Sequence, residues 1–239
     1  MPLLGNAVML LSFDIVEGAI PEHDDWHTHE HLPERLSIPG FVRGTRWVSA
    51  DGKPRYFVMY EVDQVATLQS EAYLERLNNP SPWTTKVMPS YRGMTRGLCT
   101  ISGSFGTGIG QVSLLIRLKP GAGMAPPLRA RLLNDVLPRL PSRDGLGSAH
   151  LFEGALVPLM TKEQQIRGAD AGVDWAVFVT GYSERALGDL MNGDLGRAQI
   201  ERNGGTAVSE ATYRMHYMLT DREVSAKQFI PAGPVSPAG

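Results

Sequence analysis

The sequence predicts an α+β protein of two ferredoxin-like repeats, each with the element order β-α-β-β-α-β, packed sheet to sheet as an intramolecular α+β barrel. Strand-like alternation and helix-like periodicity follow each other in the same order in both halves. A glycine-rich stretch, Gly103 to Gly110, separates the halves as a flexible joint. A lone repeat leaves one sheet face bare, and pairing the two bare faces within one chain buries both.

Four segments of the first half have the alternating apolar pattern of strands. They lie at 8–16, 41–49, 56–62 and 94–101. In the first of them Met9, Leu11 and Phe13 share one face. Asp51-Gly52, between the two middle strands, is a strong hairpin-turn signal.

Helical segments separate these strands. Acidic residues early and leucines later predict a helix over 22–37, which Pro39-Gly40 ends. Asp63 is the predicted N-cap of a helix from about residue 64 to residue 78. A second helical piece follows from Trp83.

The second half repeats this order with little residue identity to the first. Its strands are predicted at 112–118, 148–153, 175–181 and 212–219. Its first helix follows Pro126-Pro127 and carries an apolar stripe, formed by Leu128, Leu132, Val136 and Leu140. Its second helix covers 184–191, with an extension over 196–202.

These patterns divide the chain into a first repeat at 1–104, a second repeat at 105–222 and a tail at 223–239 that is rich in proline and glycine. Residues 154–173 are longer than the matching turn of the first repeat. Within them Thr161 and Gln164 form a capping box, which predicts a short helix to about Arg167. This insertion is either a decorated hairpin loop, a lid over a pocket or a dimer contact.

Composition limits the function classes. The 239 residues carry 23 Lys and Arg against 25 Asp and Glu, a net charge of −2, with no stripe of basic and aromatic residues for nucleic acid. The single cysteine, Cys99, excludes an intramolecular disulfide. Residues 1–18 lack the basic start of a signal peptide, and no apolar run is long enough to span a membrane. We expect a cytoplasmic protein that binds a small molecule and, as one arrangement, forms a homodimer.

The most unusual local feature is a cluster of histidines, His23, His27, His29 and His31. His27 and His31 have the spacing of two metal ligands on one helix face, but the sequence offers no clear third ligand, so we assign no metal-binding residue. His23 and His27 lie beside acidic residues and are expected on a solvated helix face.

Acid–base chemistry is the second interpretation of this cluster, because a neutral imidazole can move protons near pH 7. On an ideal helix Trp26 and His29 share the core-facing stripe with Leu32 and Leu36, which points His31 outward. Pro33 weakens that argument, since a break here turns His31 towards the sheet. Arg35 follows one turn later and can anchor a carboxylate or stabilise an oxyanion.

Strand and helix residues supply further candidates for a pocket in the first half. Tyr60 can donate a hydrogen bond to a carbonyl or phenolate, and aromatic side chains can enclose a flat ligand. We assign catalytic roles to His31, Arg35 and Tyr60. Candidate substrate-binding residues are Trp26, His29, Arg46, Trp47 and Trp83. No phosphate-binding loop, dinucleotide fingerprint or nucleophile elbow occurs, so no built-in cofactor is expected.

Trp26-His-Thr-His-Glu-His31-Leu-Pro, followed by Ile38-Pro-Gly-Phe41 and Arg46-Trp47, resembles the EthD-like branch of the dimeric α+β barrel superfamily. The likeness covers about residues 8–100, and the second half matches only in element order. It implies a ferredoxin-like half that pairs sheet to sheet into a barrel. Relatives include monooxygenases, cyclases, isomerases and haem-handling proteins. In those that are enzymes, the histidine corresponding to His31 lies near the pocket.

Taken together, these features predict a small-molecule enzyme that performs acid–base chemistry on a hydrophobic or aromatic carbonyl compound. The reaction would be that of a cyclase, an isomerase or a cofactor-independent monooxygenase, with His31 moving a proton while Arg35 and Tyr60 orient the substrate. Two alternatives stay open: a non-catalytic ligand-binding or assembly protein, and a member that binds haem or a metal.

Overall fold

Eight strands form a closed barrel in the computed structural model, which describes residues 2–49, 52 and 54–226. The barrel strands are β1 (Ala7–Ile15), β2 (Phe41–Val48), β3 (Tyr56–Val62), β4 (Tyr91–Gly106), β5 (Val112–Pro120), β6 (Leu146–Leu156), β8 (Trp175–Gly181) and β9 (Gly205–Thr220). Their order is β1-β3-β2-β9-β5-β8-β6-β4, and pairing of β1 with β4 closes the ring. A two-residue strand, β7 (Ala171–Gly172), lies parallel to β4 outside it. The predicted α+β barrel within one chain is confirmed.

Each half contributes four antiparallel strands, and two long strands join the halves. β4 continues from β1 to β6 of the second half, and β9 continues from β5 to β2 of the first. The predicted boundary between 104 and 105 falls inside β4, and Gly103 pairs with Leu151 rather than forming a joint. Asp51 of the predicted hairpin turn and the tail from residue 227 lie outside the described residues.

Helices cover the outer face of each sheet. They are α1 (Ile20–Trp26), α2 (Leu32–Leu36), α3 (Glu71–Asn78), α4 (Pro82–Val87), α5 (Ala125–Arg131), α6 (Lys162–Arg167), α7 (Glu184–Met191), α8 (Arg197–Arg202) and α9 (Asp221–Ala226). α3 starts later than predicted, because Val65–Gln69 forms a 3-10 turn and Ser70 accepts the capping hydrogen bond from Tyr73 N. Asp63 instead accepts a hydrogen bond from the Thr67 hydroxyl. Among the described residues, no helix has the length and apolarity that crossing a membrane requires.

The first helix of each repeat contains a π-helical turn before a Leu-Pro pair. In the first repeat the turn is His27–His31, and in the second it is Leu132–Val136. A π turn holds one residue more than an α turn, so it rotates every later side chain about the helix axis. His31 and Arg35 therefore face the sheet, whereas His29 is exposed. The ideal-helix pattern placed His29 on the core-facing stripe, and this prediction is wrong because the π turn changes the direction of the side chains.

Side chains from both sheets fill the barrel interior. This cluster is formed by Leu3, Val8, Leu10, Trp47, Phe57, Met59, Cys99, Leu115, Phe152, Ala176, Phe178 and Tyr213. The Trp47 and Phe57 rings lie 5.6 and 5.5 Å from the Phe178 ring, so the two repeats meet through aromatic contacts. Because the interior is packed, the layers between sheet and helices are where a site has room.

A buried ion pair lies at one end of this interior. Glu61 accepts hydrogen bonds from Arg43 Nε at 2.6 Å and from the backbone N–H of Leu4 at 2.6 Å. Arg43 also donates to the carbonyl of Pro2 at 3.1 Å. The pair thus fastens the N-terminal arm across the barrel end, where both charges are removed from water.

Replacing Glu61 with Gln removes the charge that compensates Arg43. We expect the free energy of unfolding to fall by about 3 kcal/mol or more, because a buried charge without its partner is costly. Urea unfolding of both proteins measures the difference. The double variant Arg43→Met, Glu61→Met should regain a large part of the loss, and a single variant as stable as the parent protein would contradict the assignment.

Candidate active site

A cavity lies between the helices and the outer sheet face of the first repeat. Its walls come from β1, β3, β4, the His27–His31 turn, α3 and α6. The lining residues are Met9, Leu11, Phe13, His27, His31, Arg35, Tyr60, Tyr73, Leu77, Met88, Tyr91, Met94, Arg96, Glu163 and Arg167. Its volume is about 30 Å³, which is space for about two water molecules.

The insertion between β6 and β8 closes this cavity. Thr161 caps α6 through Gln164 N, as predicted, and α6 ends at Gly168, whose φ of +101° favours glycine. The Lys162 N–H donates to Asn78 Oδ1 at 3.2 Å, which holds α6 on α3. Glu163 and Arg167 from α6 line the cavity, so a segment of the second repeat covers the site of the first.

His31 lies in the cavity wall with an unsatisfied ring nitrogen. Its side chain is 7 % exposed, and Nδ1 has no hydrogen-bond partner within the described residues. The Trp26 ring lies 4.3 Å away, centroid to centroid, and fixes one side of the imidazole. Desolvation by burial, followed by the charge of Arg35, holds the pKa of His31 well below its ordinary value. The imidazole is therefore neutral near pH 7 and accepts protons.

His23, His27 and His31 form a row of imidazoles along the buried side of the helix. Neighbouring ring centroids are 5.6 and 5.5 Å apart. The expectation that His23 and His27 are solvated is wrong, because the helix lies flat against the aromatic rings of the sheet, such as Phe13 and Tyr56. Burial lowers the pKa of both groups, although a hydrogen bond from His23 to Asp24 opposes part of the shift.

Tyr60 contributes a buried hydroxyl to the same cavity. The residue pairs with Met9 across β1 and β3, and its OH has no partner among the described residues. Burial, opposed in part by Arg35, raises the pKa of Tyr60 above its ordinary range. The phenol therefore stays protonated and can donate a hydrogen bond to a ligand oxygen.

Arg35 is fully buried and paired with carboxylates. It donates to Glu163 of α6 and to Glu34 at 3.2 Å, and its guanidinium lies 5.9 Å from the centroid of the Tyr73 ring. Desolvation lowers the pKa of Arg35, but Glu163 and the neighbouring groups outweigh it and raise the pKa overall. In the closed cavity Arg35 already holds a carboxylate, supplied by the insertion.

The five predicted substrate-binding residues lie outside the cavity wall. Trp26 is buried behind His31 and donates to Glu30 and Thr84, both at 3.2 Å. Arg46 contacts Asp24, Thr28 and His216 beyond the far end of the histidine row. Trp47 belongs to the barrel interior, because its side of β2 faces inward. His29 is exposed, and Trp83 packs partly buried at the edge of the helix layer.

Several wall residues were not among the assigned site residues. Tyr73 and Arg96 reach the cavity from α3 and β4, and Glu163 and Arg167 arrive from the insertion. The only sequence signal for the last two was the extra length and capping box of residues 154–173. Three methionines, Met9, Met88 and Met94, give the wall flexible apolar surface.

The matching layer of the second repeat is apolar. The two π turns and their Leu-Pro pairs align His27, His31 and Arg35 with Leu132, Val136 and Leu140. The pairing of Met9 with Tyr60 corresponds to that of Leu114 with Val179. All five second-repeat side chains belong to one buried cluster. Of the two sheet–helix layers, the one with buried titratable side chains is that of the first repeat, to which the insertion adds Glu163 and Arg167.

The histidines do not form a metal site in the described part of the chain. No group of three or more His, Cys, Asp or Glu side chains there is placed to hold a metal ion. The closed cavity, at about 30 Å³, has no room for a ligand as large as haem. In this closed state the residues of the cavity fit neither a metal ion nor haem.

Comparisons with known proteins show what the fold resembles. No family model and no curated protein matches the chain. An anthrone oxidase-like protein superposes with a TM-score of 0.65 at 8 % identity, over 92 % of this chain and 96 % of that one. A proposed monooxygenase from Lactobacillus acidophilus NCFM gives 0.55 at 10 % identity, covering 90 % and 96 %.

A third structure is a mutant chlorite dismutase from Candidatus Nitrospira defluvii in complex with cyanide. It superposes with a TM-score of 0.53 at 9 % identity, over 94 % of this chain and 95 % of that one. Identities this low show the fold alone. The likeness is one of fold, a closed eight-stranded α+β barrel, and no family model supports the EthD-like branch.

Proposed function

We propose that the cavity of the first repeat is the active site of a small-molecule enzyme acting on a flat aromatic carbonyl or phenol. One observation carries the proposal: His31 Nδ1 and Tyr60 OH are both buried in one cavity wall without a partner in the described structure. A buried polar atom without a partner costs about 1–3 kcal/mol, so native proteins retain few of them without a use. A ligand hydroxyl or carbonyl group can supply a donor to His31 Nδ1 and an acceptor to the Tyr60 hydroxyl.

The two groups have complementary roles. The neutral His31 imidazole takes a proton from a carbon next to a carbonyl, or from a phenol, and Tyr60 donates a hydrogen bond to the enolate oxygen that forms. Return of the proton to another carbon completes an isomerisation. Attack of the enolate carbon on a second carbonyl of the same molecule, whose oxygen takes up the proton, completes a cyclisation. Reaction of the same anion with O₂ turns an activated CH₂ into a carbonyl, with water as the second product. The likeness in fold to an anthrone oxidase-like protein supports the choice of substrates for testing.

The substrate must displace part of the wall to enter. The cavity of about 30 Å³ cannot hold an aromatic compound as it stands. The three methionines can change rotamer. Besides the partly buried Ile166, which packs against the core of the first half, α6 is held there by polar contacts of Glu163 with Arg35 and of Lys162 with Asn78. A short segment with few apolar contacts belongs to the less stable parts of a fold, which suits a lid.

A cytoplasmic location, a homodimer and membership in the EthD-like branch stay predictions. Ligand binding without catalysis is the second candidate, because the same unpartnered atoms serve a receptor equally well. Turnover separates the two functions. Compounds that stabilise the protein but are returned unchanged assign it to binding.

Replacing His31 with Gln tests the catalytic role. We expect the rate with any substrate found in a panel of anthrones, naphthols and aromatic ketones to fall by about 10²–10⁴, the usual contribution of a general base. Tyr60→Phe should lower the rate by about 10²–10³, as loss of an oxyanion donor does. Initial rates in aerated buffer, followed by absorbance and mass spectrometry, measure both changes.

The matched control is His29→Gln, the same substitution at an exposed position of the same helix. It should leave the rate unchanged, and thermal unfolding of all variants checks that they are folded. Full activity in His31→Gln would exclude the proposed base.

Stability should depend on pH through the same buried histidines. Burial lowers the pKa of His27 and His31 in the folded protein, so the unfolded chain binds more protons below its own pKa of about 6.5. The stabilisation is complete above about pH 6.5 and is lost as the pH falls towards the folded pKa values. Each of the two groups should cost about 1.4 kcal/mol between about pH 7.5 and pH 5.5.

Urea unfolding at the two pH values measures this loss. The double variant His27→Gln, His31→Gln removes both groups and should show about 3 kcal/mol less pH dependence than the parent protein. If the parent protein and the double variant lost the same free energy of unfolding, the protons responsible would bind to groups other than His27 and His31.

A further inference from the structure

The guanidinium of Arg96 is the least satisfied charge in the cavity wall. Its side chain is buried in β4, and Nη2 donates to the Tyr73 hydroxyl at 3.1 Å. Nη1 is buried without a hydrogen-bond partner in the described part of the chain. The hydroxyl of Tyr73 in turn lies 3.2 Å from Met9 Sδ, so the position of Arg96 is fixed from one side.

The nearby carboxylate does not meet this need. Asp170 Oδ1 and Oδ2 accept hydrogen bonds from Arg167 Nε and Nη2, at 3.1 and 2.6 Å. Arg96 Nη1 lies 3.9 Å from Asp170 Oδ2, too far for a hydrogen bond. Glu163 is paired with Arg35. Both carboxylates therefore make their hydrogen bonds to other arginines, and Arg96 Nη1, although within ion-pair distance of Asp170, has no hydrogen-bond acceptor among the described residues.

The strand register places Arg96 and Tyr60 on two different strands, one on each side of β1. Tyr60 pairs with Met9, and Arg96 pairs with Leu11 on the opposite edge of the same strand, β1. Neighbouring strands are about 4.8 Å apart, so the two backbones lie about 10 Å from each other across the sheet. Both side chains extend from this wall into the same cavity, so a ligand can meet Tyr60 and Arg96 through two different polar groups.

We infer that the substrate is an aromatic carboxylate whose carboxylate binds Arg96 Nη1 while its hydroxyl or carbonyl meets His31 and Tyr60. A carboxylate is favoured over a phenolate because it is ionised near pH 7, whereas a phenol with a pKa of about 10 is not. Charge-assisted hydrogen bonds from arginine to carboxylate are among the strong ones in proteins. The inference rests on the proposed function for the position of the reacting end.

The probe is a hydroxynaphthoate, which carries both a hydroxyl and a carboxylate. The corresponding neutral amide is its control. Calorimetry with the whole protein should show about tenfold or more preference for the acid. Arg96→Gln should remove this preference, and Arg96→Lys should retain part of it because the charge is kept.

Two controls test the assignment to Arg96. Arg92→Gln makes the same change at an exposed position of β4 and should leave the preference intact. Thermal unfolding checks that Arg96→Gln is folded. Three results would overturn the inference. They are equal affinity of the parent protein for acid and amide, an equal loss of affinity for both in Arg96→Gln, and no binding of either probe to the parent protein.

Failure here is distinguishable from failure of the proposed function. The His31→Gln protein should keep its preference for the acid over the amide, since the carboxylate end does not involve the imidazole. Preference for the acid without turnover of any panel compound leaves the anion site standing as part of a receptor. Turnover without that preference keeps the enzyme and removes the role of Arg96.

Discussion

Closure of the barrel is the constraint on which the rest of the structure depends. Each four-stranded sheet has one face that no helix covers, and burial of apolar surface favours bringing these two faces together. The strands β4 and β9 make that possible by pairing in both sheets. Aromatic side chains such as Trp47 and Phe178 fill the interior, and the cavity lined by His31 and Tyr60 lies in the layer between sheet and helices.

Two such layers exist, and they have diverged in polarity. Leu132, Val136 and Leu140 pack the second layer as an ordinary core, whereas the first layer has His27, His31 and Arg35 at the same places. Burying neutral imidazoles and a guanidinium is less favourable than burying leucines. The first repeat therefore buries its helix layer at a higher free-energy cost than the second. This difference is expected if the second repeat serves stability and the first holds a site.

Much of this could be predicted from the chain, and the failures have physical causes. The alternation of apolar residues along the chain located all eight barrel strands, since the side chains of a strand point to its two faces in turn. The inward turn of His31 was foreshadowed by Pro33, but the π turn that produces it has no reliable local pattern, so His29 was placed on the wrong face. Trp47 was assigned to a pocket because alternation gives two faces without saying which meets the helices. Contact between Arg35 and Glu163 joins residues 128 positions apart, which no local pattern reports.

The ion pair between Arg35 and Glu163 bears on ligand entry as well, because α6 cannot move away from the cavity without breaking it. Arg35 is buried, so moving Glu163 away without a replacement leaves a charge supported only by the partly exposed Glu34. The closed state is therefore favoured when the cavity is empty, and a ligand must supply enough interaction to offset opening. The cavity wall holds polar groups without a hydrogen-bond partner in the described structure, on His27, His31, Tyr60 and Arg96, which can contribute to that interaction. Under the proposed function, a compound that meets several of them gains more than one that meets a single group, so the closed cavity favours ligands with more than one polar group.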